Sequence, residues 1–210
     1  YPNWEKEKKD FPKFKEIAQT IGLAENGLSG GVSLEDFNND GLIDVFVTSY
    51  GMKDQSKLFI NIGSGFKDST EKAGLAGLVG GLNTVHADYN NDGFTDLFVL
   101  RGAWLGKGGN HPNSLLKNNG DGTFSDVTKS SGLLSFHPTQ TAAWADVNND
   151  GYLDLFIGNE SISNESHPCE LYINQKNGKF LEKSSEHNLS SIKGFVKAVV
   201  FGDINNDQLP

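Results

Sequence analysis

The sequence predicts an all-β protein, a β-propeller of four-stranded antiparallel blades present as an incomplete ring of about three full blades plus flanking strands. Three observations carry this expectation. An acidic loop, Asp36-Phe-Asn-Asn-Asp-Gly-Leu-Ile-Asp44, recurs from Asp88 to Asp96 and from Asp146 to Asp154. It begins again at Asp203-Ile-Asn-Asn-Asp207, and the first aspartates stand 52, 58 and 57 residues apart. Two further blocks keep the same step: Leu58-Phe-Ile-Asn61, Leu115-Leu-Lys-Asn118 and Leu171-Tyr-Ile-Asn174, then Phe14 to Leu23, Phe66 to Leu75, Phe124 to Leu133 and Phe180 to Leu189. Finally, 25 of the 210 residues are glycine, a composition that favours many short strands joined by turns over long helices. Self-similarity at a fixed period marks a repeat fold. Units of four strands fit a propeller better than a solenoid, whose units are usually shorter or helical.

Within each unit the elements follow in order. The first strand precedes the acidic loop, at Gly31 to Glu35, Thr84 to Ala87 and Ala142 to Ala145, with Ala198 to Gly202 opening a fourth unit. The second leaves the loop as Asp44-Val-Phe-Val-Thr48, Asp96-Leu-Phe-Val-Leu100 and Asp154-Leu-Phe-Ile157, β-branched and aromatic runs suited to a buried strand. The Leu-x-x-Asn block is the third strand and the Phe-x-Asp/Glu run the fourth. They are joined by Asn119-Gly120-Asp121-Gly122 or Lys176-Asn177-Gly178-Lys179, residue types that accept the positive φ of hairpin turns. The first unit shortens this hairpin by one residue, to Ile62-Gly63-Ser64-Gly65. The expected organisation is an N-terminal extension at 1–13, then a partial propeller at 14–210. It comprises a closing strand and linker (14–30), blades at 31–82, 83–140 and 141–196, and the start of a further blade at 197–210. Three blades cannot close a ring, so the chain is expected to be part of a longer protein or a ring completed by another chain.

In the acidic loop, oxygen-bearing side chains occupy positions one, three, five and nine, and glycine at six permits a sharp turn. Hard oxygen donors at alternate positions of a tight loop suit Ca²⁺, with the carbonyl of position seven completing the shell. The expected ligands are Asp36, Asn38, Asp40, the Leu42 carbonyl and Asp44 in the first loop. In the second they are Asp88, Asn90, Asp92, the Phe94 carbonyl and Asp96, and in the third Asp146, Asn148, Asp150, the Tyr152 carbonyl and Asp154. Asn39, Asn91 and Asn149 at position four read as turn residues tolerant of the left-handed region. An EF-hand would need a bidentate Glu at position twelve, where this chain has Val47, Val99 and Ile157. Zinc is disfavoured for want of a His/Cys set at ligand spacing, and Mg²⁺ because it usually retains several waters. Metal-free Asp/Asn/Gly turns are the plain alternative, but three carboxylates within nine residues repel one another unless a cation lies between them. The fourth loop has Gln208 in place of the glycine, and no calcium is expected there.

At these residues the sequence resembles the FG-GAP/VCBS repeat proteins, the family that includes the calcium-loop blades of integrin α-subunit propellers. It is most similar to the UnbV/ASPIC, cartilage-acidic-protein-like branch, through Arg101-Gly-Ala-Trp104, His111-Pro-Asn-Ser-Leu-Leu116 and the run from Asn118 to Thr128. The resemblance extends from Phe14 onward. It implies a secreted, extracellular, cell-surface or periplasmic calcium-binding propeller used for adhesion or protein interaction, commonly with seven blades, and names no ligand.

Net charge is −9, but eleven of the 27 acidic residues lie in the four loops, leaving 16 against 18 cations elsewhere. Acidity therefore reports the metal sites. Seventeen of the cations are lysine and Arg101 is the sole arginine, so no basic patch is available for a nucleic acid. No run of 18 apolar residues exists to form a transmembrane segment. Long connectors opposite the loops could bind a protein or glycan, with Arg101, Trp104, His111, His167 and Glu170 as candidate contacts. His111-Pro112 and His167-Pro168 are equivalent repeat positions, which also suits a loop-fixing role. His86 and Trp144, each two residues before a loop aspartate, are expected between blades, and Cys169 reads as a plain small side chain. The function expected is a noncatalytic interaction scaffold. The alternative is a carbohydrate-active lyase or hydrolase on the same propeller, which would need a converging His/Tyr/Arg or paired-carboxylate set.

Overall fold

The computed structural model describes residues 13–25 and 27–210. The expected extension at 1–13 therefore lies outside the described residues, Lys13 excepted. Three four-stranded antiparallel sheets are present, each built from consecutive strands in simple order. The first holds β1 (Ser29–Glu35), β2 (Asp44–Ser49), β3 (Lys57–Asn61) and β4 (Phe66–Asp68). The second holds β5 (Asn83–Ala87), β6 (Asp96–Leu100), β7 (Ser114–Asn118) and β8 (Phe124–Asp126). The third holds β9 (Thr139–Ala145), β10 (Asp154–Asn159), β11 (Glu170–Asn174) and β12 (Phe180–Glu182). Register repeats from blade to blade: Glu35 faces Asp44, Ala87 faces Asp96 and Ala145 faces Asp154, so each acidic loop bridges the first and second strands at one end. These are propeller-type blades, and among the described residues they do not close into a ring.

Burial follows from each blade's neighbours. All five residues of the middle blade's β6 are buried, because a blade covers each of its faces. The similar run in β2 instead alternates, with Phe46 buried and Val45 and Val47 half-exposed. Two clusters form the core. Phe37, Phe46 and Leu58 of the first blade pack against Leu97, Val99, Leu116 and Phe124 of the second. Tyr89, Phe98 and Leu115 of the second pack against Leu155, Ile157, Tyr172 and Phe180 of the third. Each large side chain so buried contributes ~2–3 kcal/mol, which makes the seams between blades the main source of cohesion. Trp144 sits in the second seam as expected, 6.3 Å from the Tyr89 ring and 6.2 Å from that of Phe98. His86 is exposed, with Nε2 3.6 Å from Glu35 Oε2 of the first blade.

The two flanking strands expected from the sequence do not form. Phe14 is 94% exposed and belongs to no strand, and the following chain makes a single helical turn, α1 (Ala18–Ile21), closed by Gly22. Ala198 to Gly202 is likewise without strand pairing. The cause is common to both. A fourth strand takes its ladder bonds from a third strand, as β4 does from β3, and a first strand from a second, as β1 does from β2. Neither segment has such a partner among the described residues, and unpaired backbone gains nothing from an extended conformation. The corresponding linker turn is complete after the second blade, where α2 (Thr128–Ser131) ends at Gly132.

Candidate metal loops and the opposite rim

The three acidic loops share one hydrogen-bond framework. The position-one carboxylate accepts two main-chain N–H groups: Asp36 from Asp40 and Gly41 at 3.0 and 2.7 Å, Asp88 from Asp92 and Gly93 at 3.0 and 2.8 Å, Asp146 from Asp150 and Gly151 at 3.0 and 2.8 Å. The Oδ1 atoms of Asn38, Asn90 and Asn148 each accept the position-five N–H at 3.0 Å. The aspartates at position five accept the N–H of Leu42, Phe94 and Tyr152. Asn39, Asn91 and Asn149 have φ of 56, 57 and 55°, the left-handed conformation expected of them. Asn91 also reaches the next loop, donating through Nδ2 to the Gly151 carbonyl at 2.8 Å.

Position nine ties the loop to the sheet. Asp44, Asp96 and Asp154 are essentially inaccessible to solvent. Asp96 accepts N–H groups from Tyr89 inside its loop and from Asn118 on the third strand, at 3.3 and 2.7 Å. Asp154 does the same with Val147 and Asn174, and Asp44 with Phe37 and Asn61. Burial pushes the Asp96 carboxyl up to about 7. The charges of Asp92 and Asp88 add to the rise, and the two backbone donors oppose it. Asp44 and Asp154 are raised from the same causes. Each loop thus presents an asparagine amide oxygen, a main-chain carbonyl and a buried carboxylate whose charge is disfavoured by two neighbouring carboxylates. That donor set is all hard oxygen and fits Ca²⁺ in kind. Among the described residues, no three His, Cys, Asp or Glu side chains by themselves gather as a metal cage.

Two lysines stand at these loops: Lys117 Nζ is 3.2 Å from Asp92 Oδ2, and Lys176 Nζ is 3.5 Å from Asp150 Oδ2. They come from the third strand and the third hairpin, which places those hairpins on the loop rim. The fourth loop repeats the framework, with Asp203 accepting the N–H groups of Asp207 and Gln208 at 3.1 and 2.8 Å. Gln208 is held there at φ 72°, a conformation that costs a side-chain-bearing residue about 1 kcal/mol or more relative to glycine.

The five candidate contact residues separate into two groups. Arg101 is buried, donating to the carbonyls of Val79 and Pro112 and to Ser114 Oγ. Glu170 is buried and accepts from Asn159 Nδ2, Ser135 Oγ and the Tyr172 hydroxyl. His167 is buried, its Nδ1 2.9 Å from Nδ1 of His137. These three fix connectors. His111 is half-buried, while Trp104 is 56% exposed. Cys169 is buried, and burial pushes its thiol pKa up, away from reactivity. Side chains not singled out from sequence also matter here: His137, and the group of Gln140, Glu160, Phe195 and Lys197 around Trp104. Each gathers residues distant in the chain and carries no repeat signature.

Among the described residues no helix is long and apolar enough to cross a membrane. A family model described as FG-GAP-like repeat matches residues 36–99 and 88–157, together more than half of the chain. The chain is 35% identical to cartilage acidic protein 1 of Xenopus tropicalis over 100 residues, 47% of this chain and 15% of that protein. It is 29% identical to cartilage acidic protein 1 of Homo sapiens over 144 residues, 68% of this chain and 20% of that protein. It therefore spans a fifth or less of the length of these relatives. Both matched stretches run from one acidic loop through the blade to the second strand of the next, so the repeated loop-and-blade architecture is what is shared: the chain belongs to the FG-GAP-like repeat family.

Proposed function

We propose that the chain is a calcium-binding repeat module that works outside the cell as a noncatalytic scaffold for a protein or glycan partner. The observation carrying this reading is the threefold recurrence of one donor set. In each loop a solvent-inaccessible position-nine aspartate is held beside two further carboxylates with only backbone N–H groups to offset its charge. Asp36, Asn38, Asp40, the Leu42 carbonyl and Asp44 would hold one ion, and the equivalent residues of the other two loops one each. Bound calcium would supply positive charge to the whole carboxylate set, where Lys117 and Lys176 stand beside position five alone. The framework of main-chain bonds already orders the loops, so little rearrangement opposes binding. Because position nine also accepts the third-strand N–H, an ion there would brace loop and sheet together.

The carbohydrate-active alternative draws no support from the titratable groups that do gather. His137, His167, Glu170 and Tyr172 are buried or half-buried and engaged with one another and with the Ser135 and Asn159 side chains. The extracellular setting rests on the family and on the relatives' printed name.

Calorimetric titration of chelator-treated protein tests the calcium reading. Three sites are expected, and one is lost in each of Asp40→Ala, Asp92→Ala and Asp150→Ala. At calcium 100-fold above its dissociation constant, a single site stabilises the fold by about 2.7 kcal/mol. Absence of binding heat together with an unchanged melting temperature in excess chelator would refute it.

A further inference from the structure

On the connector side of the seam between the second and third blades, one ammonium group is enclosed by residues from four separate parts of the chain. Lys197 Nζ lies 3.5 Å from the centroid of the Trp104 ring and 3.6 Å from that of Phe195. The two rings meet edge to face at 89°, with centroids 5.5 Å apart, and form a corner. Glu160 Oε1 pairs with Nζ, and Gln140 Oε1 accepts from it at 3.1 Å. Two aromatic faces, a carboxylate and an amide oxygen make a complete recognition set for a cation that donates N–H bonds.

Three features mark this as a built site. Glu160 is only 2% exposed, and a carboxylate so buried requires a cation. Its other oxygen, Oε2, accepts the main-chain N–H of Trp104 at 2.8 Å and so positions the indole. Trp104 itself has φ 68°, an uncommon conformation for a bulky aromatic residue, and its ring remains 56% exposed. Phe195 is anchored independently of the lysine: residues 160 and 195 form a β-bridge, and Ser161 N–H donates to the Gly194 carbonyl at 2.7 Å. Lys197 lies beyond that anchor, with a side chain about one-third exposed. The walls can therefore stay in place when the lysine leaves.

We propose that Trp104, Phe195, Glu160 and Gln140 form a binding site for a lysine side chain presented by a partner protein, and that Lys197 fills it in cis as an internal competitor. The carboxylate and amide acceptors select a primary ammonium over a quaternary one, which cannot donate to them. The site is independent of the acidic loops, so calcium binding can fail while this proposal stands, and the reverse also holds. An internal occupant lowers apparent affinity in proportion to the time it holds the site.

The probe is N-acetyl-lysine methylamide, followed through the Trp104 indole Nε1–H signal in NMR of the whole chain. In Lys197→Ala the probe is expected to give a saturable shift at least tenfold tighter than in the unsubstituted protein. The Nε-trimethylated probe should bind at least fivefold more weakly than the parent probe. Adding Phe195→Ala or Glu160→Gln to Lys197→Ala should abolish binding, with the Trp144 indole signal and the melting temperature confirming that the blades remain folded. Equal affinity in Lys197→Ala and the unsubstituted protein would overturn the proposal. So would a trimethylated probe that binds as well as the parent, or binding that survives in the folded Phe195→Ala double variant.

Discussion

Asn118 Nδ2 donates to the main-chain carbonyl of Phe37 at 2.8 Å, joining the third strand of the second blade to a loop residue 81 positions earlier. Asn174 makes the same bond to Tyr89, also at 2.8 Å. Each asparagine additionally donates to a carbonyl in its own blade, Thr95 and Leu153 respectively. The repeated Leu-x-x-Asn block therefore ends in a staple that links one blade to the loop of the blade before it. Among the described residues, Nδ2 of Asn61, the first of the series, reaches only the Ile43 carbonyl of its own blade.

Truncation should expose this difference. Asn118→Ala leaves two carbonyls and the Gly120 N–H without their partner at a solvent-excluded position. Urea denaturation is expected to show a loss of about 2–3 kcal/mol, against about 1 kcal/mol or less for the more exposed Asn61→Ala. Equal losses would mean that the asparagine matters for its hairpin alone.

That staple also marks where sequence reading stops. The asparagine was visible as a periodic residue at the end of a third strand, because strand and turn chemistry are local. Its partner was not, since a bond across 81 residues leaves no mark on either neighbourhood. The acidic loops were legible in detail for the opposite reason. Every bond inside them spans seven residues or fewer, and Asn39 and Gly41 sit at the positive φ their types suggest. Phe14 and Ala198 to Gly202 went the other way: a strand's existence depends on a neighbour, and residue type carries no information about whether one is present. Likewise, repeat position could not distinguish buried His167 from half-buried His111.

Two glycines separate backbone strain from steric contact. Gly93 has φ 87° and open space where a Cβ would lie, so Gly93→Ala is expected to cost only the left-handed penalty of about 1–2 kcal/mol. Gly31 has no such φ, but a Cβ there would lie 2.6 Å from the Thr84 nitrogen and 2.7 Å from the Asn83 Cα, both on the first strand of the next blade. Neither backbone can yield without parting the blades. Gly31→Ala is therefore expected to cost more than Gly93→Ala, about 3 kcal/mol or above, in the same denaturation assay. The reverse order would contradict the close approach of β1 and β5.

Lys117 and Lys176 bear on the proposed calcium sites through charge. Each ammonium stands beside a position-five carboxylate, whereas the first loop has Ile60 where Lys117 stands in the second. In calorimetry, Lys117→Met should tighten the second site about three- to fivefold at low salt, the ~1 kcal/mol scale of a partly exposed ion pair. The gain should shrink in 0.5 M KCl as screening shortens the reach of the charge. A gain that ignores salt would point to packing of the lysine stem.

The His137–His167 pair makes stability depend on pH. Their Nδ1 atoms are 2.9 Å apart, so one ring must donate and the other accept, and protonation of both removes the acceptor. Burial, then the proximity of His137, depresses the His167 pKa below 6.5, and Glu165 only partly offsets this. Its carboxylate Oε2 lies 3.8 Å from His167 Nε2, too far for a hydrogen bond, and both atoms are buried without a hydrogen-bond partner among the described residues. A histidine whose folded pKa is depressed binds protons more readily when unfolded. Its contribution is thus complete above the unfolded pKa and is lost as pH falls below 6.5 toward the folded value. Between pH 7.5 and 5.5 this one group can remove at most about 1.4 kcal/mol. Urea midpoints across that range should fall more steeply for the unsubstituted protein than for His167→Gln, which carries no titrating ring at this position. Parallel slopes would show that His167 takes up its proton without cost, and with it that the two Nδ1 atoms are not held together by a shared hydrogen.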